Sequence, residues 1–362
     1  MEILVQTPVQ AILFFILYGI TGVVPLIAAL YLLLRRGNAF SPGVTPPVRL
    51  RRWTAAFFAV SALAHVWWLL FLYSGDLNSV TSLLLAMLDR VLLFTTFAGM
   101  LLAMLQDRCR SVWPALVAMI PFVALMGAYM VHPSTLLGQI TVAYLVLLGL
   151  FFAVYMVFVI RRYSRWLDDN YADLENKKVW LIQSVSLGCM LLFVLYIFSV
   201  DMFFIWLMHF VELVLVGLLL WRVETLPQLE LPTQPQTQQP TAAPVTIDLV
   251  QIERLLNEHC VDTQLYLQHD LTLQQLALAI GTNRYYLSQY FSCQGITYNT
   301  YINNLRINHF ISRYQENVAA QKSVGAQQLA QESGFRSYST FSRAFMLRMG
   351  QSVTAWMRET AG

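Results

Sequence analysis

Between Val9 and Trp221 the chain is a succession of long apolar runs, and nothing limits its possible folds more. A helix needs about 20 mainly apolar residues to cross about 30 Å of hydrocarbon. Seven segments qualify: 9–34, 54–73, 81–105, 112–131, 136–160, 180–199 and 202–221. Backbone polar groups in lipid must be satisfied within the span, so these runs are expected to be helices. From Val245 onward the chain has the polarity of an ordinary water-soluble domain. The overall figures, 57% hydrophobic and 12% charged, therefore describe neither half. A soluble globular protein carries about 25% charged residues.

The loops between the runs set an orientation. Arg35, Arg36, Arg49, Arg51 and Arg52 lie in the first loop, and Arg108 and Arg110 in the third. The fifth holds Arg161, Arg162, Arg165, Lys177 and Lys178, and Arg222 follows the last run. The second, fourth and sixth loops, at 74–80, 132–135 and 200–201, contain neither Lys nor Arg. Basic loops stay in the cytoplasm, so the N-terminus is expected outside and the C-terminus inside a bacterial inner membrane. The first run is too long for a signal peptide, has no basic residue before it, and is followed by Arg35-Arg36. The outer loops are short, so a signal must be read by the bundle, from the lipid, or through a partner. Cys109, Cys189, Cys260 and Cys293 form no CxxC pair and have no His at zinc spacing, and are expected to be reduced thiols.

Ionisable residues inside a membrane are expensive and are candidates for function. His65 lies on the second span, Asp89 and Arg90 on the third, and His209 and Glu212 on the seventh. Helix rise puts His65 and Asp89 about 12 Å below the outer surface, His209 about 10 Å and Glu212 about 15 Å. Tyr144 and Tyr196 fall at similar depth. His209 and Glu212, three residues apart, share a helix face. This layer is expected to be either a ligand pocket anchored by Arg90 and Glu212 or a network that fixes helix register. Ser61, His65, Asp89 and His209 resemble the layout of the seven-span zinc hydrolases related to alkaline ceramidases and adiponectin receptors. Those enzymes carry His-x-x-x-His on the last span, and here the second position is Leu213. A three-histidine site cannot form, so no metal, no cofactor and no catalytic residue are expected.

Residues 225–247 contain five Pro and five Gln without hydrophobic periodicity. They are expected to be an extended tether. At about 3 Å per residue it could reach roughly 70 Å, too long to pass on a rigid twist. Oligomerisation, or release from a docked state, would transmit a signal more easily.

Residues 248–362 are expected to be an all-α domain. Leu249, Ile252, Leu255 and Leu256 share one helix face. Thr272 and Gln275 form a capping-box pattern ahead of Leu276, Ala277 and Ile280. Gly281 then permits a turn into a helix over 283–291 that buries Leu287 and Phe291. The small Ala277 lets two such helices approach, the arrangement of a helix-turn-helix. The pattern recurs with Ala330 four residues before Gly334 and a helix over 337–347 carrying Phe341 and Phe345. A long helix with Tyr301, Leu305, Ile307 and Phe310 joins the two units. Nine Lys or Arg against eight Asp or Glu in 245–362 make a weak electrostatic footprint, so DNA binding must be argued from the motif.

The sequence GFRSYSTFSRAF, followed by Gly350 and Trp356, resembles the signature of the AraC/XylS regulators, and the match covers about 250–358. YLSQYF and YINNLRI are similar to that family's first unit and linking helix. Val353 stands where the family usually has Pro, and Met357 at an often basic position. The resemblance implies two recognition helices in adjacent major-groove segments. Carried over by position, Tyr285, Ser288 and Gln289 would face bases from the first, and Ser339, Thr340 and Arg343 from the second. Gln can pair with adenine and Arg with guanine, while Thr and Tyr can meet the thymine methyl. Arg284, Arg336 and Arg348 would contact phosphates.

The expectation is therefore a seven-helix transmembrane bundle over 1–224, a linker over 225–247 and a cytoplasmic all-α domain with two helix-turn-helix units. Such a chain would be a membrane-embedded one-component transcription regulator, with the bundle as sensor or anchor. Its expected partners are double-stranded DNA, the lipid bilayer, a second copy of itself, and an unidentified small-molecule, lipid or protein signal. The alternative is a membrane enzyme with a hydrolase-like polar site, fused to a DNA-binding domain.

Overall fold

A computed structural model describes residues 8–35, 37–74, 79–174, 177–196, 202–229, 249–322 and 325–361. Their regular structure is helical, with one isolated antiparallel bridge between Tyr171 and Thr272. The chain divides into two compact units. One comprises Met1–Arg161 and Val179–Leu231, and the other Arg162–Lys178 and Pro232–Gly362. The fifth loop thus belongs with the C-terminal residues, a division the sequence did not suggest.

The first unit contains α1 (Pro8–Leu34), α2 (Val48–Ser74), α3 (Val80–Ala103), α4 (Trp113–Ala118) and α5 (Ile120–Val131). It continues with the greater part of α6 (Thr135–Asp168), then α7 (Trp180–Tyr196) and α8 (Met202–Thr225). Among the described residues, six stretches are long and apolar enough to cross a membrane, counting α4 and α5 as one. The expected seventh, over 180–199, is the shorter α7, and residues 197–201 lie outside the described residues. Pro121, in the first turn of α5, has no N–H to continue the ladder from α4, which accounts for the break there.

Large apolar side chains cover the outside of this unit. Phe151 on α6 is 71% exposed, and Phe158 and Leu147 on the same helix and Val9 and Ile12 on α1 are also exposed. Apolar cover on this scale would be unstable against water. Polar ties hold the helix ends. Arg51 donates to the Leu32 and Arg35 carbonyls at the end of α1, and Gln183 on α7 donates to the Leu101 carbonyl. The expected linker begins later than its composition suggests. Leu226 and Leu229 are buried, and the Leu229 amide donates to the Gln106 side chain. Residues 230–248 lie outside the described residues.

The second unit has α9 (Leu249–Leu256), a π turn at Asn257–Val261, α10 (Leu273–Ala279) and α11 (Arg284–Cys293). The linking helix is α12 (Tyr298–Ala319), followed by α13 (Ala326–Glu332), α14 (Tyr338–Met349) and α15 (Val353–Ala361). The local signals act as expected. Thr272 and Gln275 close a full capping box on α10. Asn283 caps α11, Thr297 caps α12 and Ser337 caps α14 through side-chain oxygens. Gly281, Gly334 and Gly350 all have positive φ.

Two cores flank α12. Leu276, Ala277, Leu287, Phe291, Tyr298 and Ile302 form one, and Phe310, Leu329, Ala330, Phe341, Phe345 and Trp356 belong to the other. Val353, in place of the family's Pro, is the first residue of α15 and is buried in the second core. Ser352 Oγ accepts the Ala355 amide, so the helix start is capped without Pro.

One turn joins the cores. Arg306 of α12 is 1% exposed, and its Nε donates to the Tyr266 carbonyl at 2.7 Å. A terminal nitrogen donates to the Gln268 and His269 carbonyls at 2.7 and 3.3 Å. The guanidinium also lies 5.6 Å from the centre of the Phe335 ring, in the second core. Burial pulls its pKa down to about 10, so it stays charged at neutral pH. Gly334 packs on the same turn. A Cβ there would stand 2.8 Å from both Cα and O of Leu267, at a φ of +87°. Gly334→Ala should therefore cost about 2–4 kcal/mol, from αL strain plus displacement of the turn. Arg306→Met should cost a similar amount, about 2–4 kcal/mol, by leaving buried carbonyls without a donor. Amide hydrogen exchange across 265–359 in the full-length chain would measure both; native protection in both variants would contradict this account.

Candidate nucleic-acid interface and the polar groups of the bundle

α11 and α14 bury one face and expose the other. Leu287 and Phe291 of α11 enter the first core, while Tyr285 is 70% exposed and Gln289 is also open. Ser288, between them on the helix surface, is half-buried. On α14, Phe341 and Phe345 point inward, and Ser339 and Arg343 are exposed. Thr340 is half-buried, with its hydroxyl held by Ser337 Oγ at 3.1 Å. All six residues expected to face bases therefore lie on the outer faces of α11 and α14.

The three expected phosphate contacts differ from one another. Arg336 is exposed and pairs at 3.7 Å with Asp270, which also takes Lys177 at 3.7 Å. Arg348 is committed within the domain. It donates to the Asn304 carbonyl and to Asn308 Oδ1, both on α12 and both at 2.5 Å. Its present geometry braces α14 against the linking helix. Arg284 opens α11 and meets the segment that follows α6. Burial lowers its pKa, opposed by the nearby Tyr171 and Asp169. Burial in turn raises the Asp169 carboxyl, against the pull of Arg165 and Arg284.

That segment is built into the second unit. The Ala172 amide donates to the Leu271 carbonyl at 3.3 Å, and the Leu273 amide to the Asn170 carbonyl at 3.0 Å. These bonds enclose the bridge between Tyr171 and the capping residue Thr272. Asn299 Nδ2 donates to the Tyr171 and Ala172 carbonyls at 3.1 and 2.7 Å. Ala172 is buried in the first core, and Lys177 lies over the Tyr171 ring. Asp169, Asn170, Asp270, Asn299 and Arg306 were not singled out from the sequence. Their pattern carries no signal there, because each acts across a long sequence separation.

The family model of a helix-turn-helix domain matches residues 265–359. The match supports an AraC-type DNA-binding domain at these residues. The match supports a DNA-binding regulator and DNA as a partner. No curated protein and no solved structure gives a significant match to the chain.

The described polar residues of the bundle fall into separate local settings. His65, His209 and Glu212 come together: His65 Nε2 is 3.6 Å from Glu212 Oε2, and the two imidazole rings are 5.7 Å apart. Asp89 and Arg90 instead line a cavity of about 400 Å³ with Trp67, Phe122 and Tyr129. Arg90 also donates to the Ala86 carbonyl one turn back. Tyr144 OH donates to the Ala118 carbonyl between α4 and α5. The Tyr196 side chain lies outside the described residues. Arg90 thus lines the cavity, and Glu212 belongs to the histidine cluster.

If Asn299 holds the segment after α6 in place, Asn299→Ala should release it. Amides of Ala172 and Leu273 should then exchange at least about tenfold faster, the equivalent of one lost hydrogen bond. Unchanged exchange at both would show that the segment is held by packing alone.

Proposed function

We propose that this protein is a membrane-embedded one-component transcription regulator with two helix-turn-helix units, and not an enzyme. The observation that carries the reading is the AraC-type domain at 265–359, with its two capped recognition helices exposed on α11 and α14. Six long apolar stretches with lipid-compatible exteriors support a bundle that spans the inner membrane. The basic inner loops support a cytoplasmic position for the domain. Specific binding must compete with a vast excess of genomic sites, which favours a dimer with two half-sites.

Tyr285, Ser288 and Gln289 read one major-groove segment in this proposal, and Ser339, Thr340 and Arg343 the next. Arg284 and Arg336 hold phosphates. Arg336 pairs with Asp270, and Asp169 is near enough to Arg284 to favour its charge, so the phosphate backbone would compete with carboxylates for both. Residues 169–174 are therefore the proposed route of communication between bundle and DNA. A signal that loosens them would remove Asp169 from the neighbourhood of Arg284.

Two substitutions test this. Arg343→Ala should cost about 1–3 kcal/mol at one base pair and relax preference there. Uniform weakening on all sequences would make Arg343 a phosphate contact. Asp169→Asn should raise affinity for all DNA sequences about three- to fivefold, as expected for removing one partly exposed competitor. Equal or weaker binding would count against the competition. Mapping bound DNA across the genome, with and without envelope stress, tests the regulator itself: no enriched promoter sites would end the proposal.

A further inference from the structure

The bundle holds a cluster that DNA binding does not use. His65 on α2 and His209 and Glu212 on α8 each offer one ligand atom, and these atoms lie within 4.8 Å of one another. Among the described residues no other group of three His, Cys, Asp or Glu side chains is so placed. We propose that His65, His209 and Glu212 form a binding site for a divalent transition-metal ion of the zinc type.

The surroundings of His65 point to a ligand. Its Nδ1 is 2.9 Å from the Ser61 carbonyl oxygen. A carbonyl only accepts, so the proton sits on Nδ1 and Nε2 presents its lone pair. Metal-bound histidines commonly have this arrangement, with the outer nitrogen donating to a carbonyl. Nε2 faces Glu212 Oε2 at 3.6 Å. The Nε2 lone pair and the carboxylate oxygen are both electron-pair donors, and a cation between them would satisfy both. Ser61 orients the carboxylate as well, since its hydroxyl donates to Glu212 Oε1 at 2.6 Å. One residue thus fixes the histidine tautomer with its carbonyl and the carboxylate with its side chain.

Thr21 of α1 completes the ring. Its Oγ1 is 3.0 Å from His65 Nε2 and 3.2 Å from His209 Nδ1, and 2.9 Å from the Tyr18 carbonyl. One hydroxyl therefore links both imidazoles to the backbone of α1. Gly22 packs beside His65: a Cβ there would lie 3.4 Å from the Cβ of His65, an ordinary contact. Phe14 and Tyr18 pack their rings on His209, and Tyr18 also on His65, giving the cluster apolar walls.

Two imidazoles and one carboxylate, with a fourth position open, suit zinc and its first-row neighbours. Bonds of about 2.0–2.1 Å at tetrahedral angles separate ligand atoms by about 3.3 Å. The His65–Glu212 pair nearly meets that spacing, and the widest pair would close by somewhat over about one ångström through side-chain rotation. The donor set differs from the His-x-x-x-His of the seven-span hydrolases, because Glu212 stands three residues after His209 and position 213 is Leu. A bound ion would clasp α2 to α8.

The test uses the full-length protein in detergent, without a histidine tag, stripped by chelator and titrated with zinc chloride. Bound metal is measured by elemental analysis, affinity by calorimetry, and cobalt loading by visible absorption. One ion per chain and a zinc-dependent rise in melting temperature are expected. Glu212→Gln and His209→Gln should each weaken binding at least about a hundredfold, and Ser61→Ala about ten- to a hundredfold. Cys189→Ser should leave binding unchanged. Wild-type protein that binds no zinc and shows no melting shift overturns the proposal and leaves a proton as the shared charge. So does unaltered affinity in the variants that stay monodisperse. Should Glu212→Gln and His209→Gln both aggregate, the wild-type titration and Ser61→Ala still decide.

Discussion

The DNA-binding half depends on one buried cation. Arg306 enters the junction between two small cores and donates to carbonyls of the turn at 266–269, while its face lies toward Phe335. Each core could form from local pattern alone. Their mutual position could not, and a protein that reads two groove segments needs its recognition helices at a fixed separation. A buried guanidinium supplies directed bonds that an apolar contact lacks, and leaving those carbonyls unmatched would be costly. Gly334 reinforces the junction by allowing contact between backbones.

Thr272 stands at a second junction. It caps α10 through its hydroxyl and pairs through its backbone with Tyr171. The element that starts the α10–α11 helix pair is therefore also where the segment after α6 attaches. α6 runs unbroken to Asp168, so this attachment follows a continuous helix by only a few residues. A composition-based boundary would place those residues wholly with the bundle. Hydrogen bonding places 169–174 in the fold of the other unit.

Inside the bundle, helix packing sorts the charged groups by chemistry. Asp89 and Arg90 are adjacent in sequence and share a cavity between helices. His65, His209 and Glu212 meet instead near Thr21, where α1, α2 and α8 pack together. Depth along a helix, which follows from rise per residue, put all of them at similar levels. Azimuth around each helix and the choice of neighbour separate them, and neither follows from position along the chain.

The sequence by itself determined the elements. Apolar length set the long helices, and the run at 180–199 is helical over its described part, Trp180–Tyr196. Capping residues, the glycines at 281 and 334 and the spacing of Leu and Phe set the helices of the C-terminal domain, because these signals act within one or two turns. The outward positions of Tyr285, Gln289 and Arg343 were legible for the same reason, since burying Leu287 and Phe341 forces the opposite face outward. Only the tertiary structure decided that Arg306 locks two cores, that Arg348 braces a helix, that 169–174 is part of the domain, and that two histidines and a glutamate converge. Those outcomes join residues about 40 to 150 positions apart. Their cause is the packing geometry that brings distant backbones together, and no local pattern encodes which distant partner a side chain will meet.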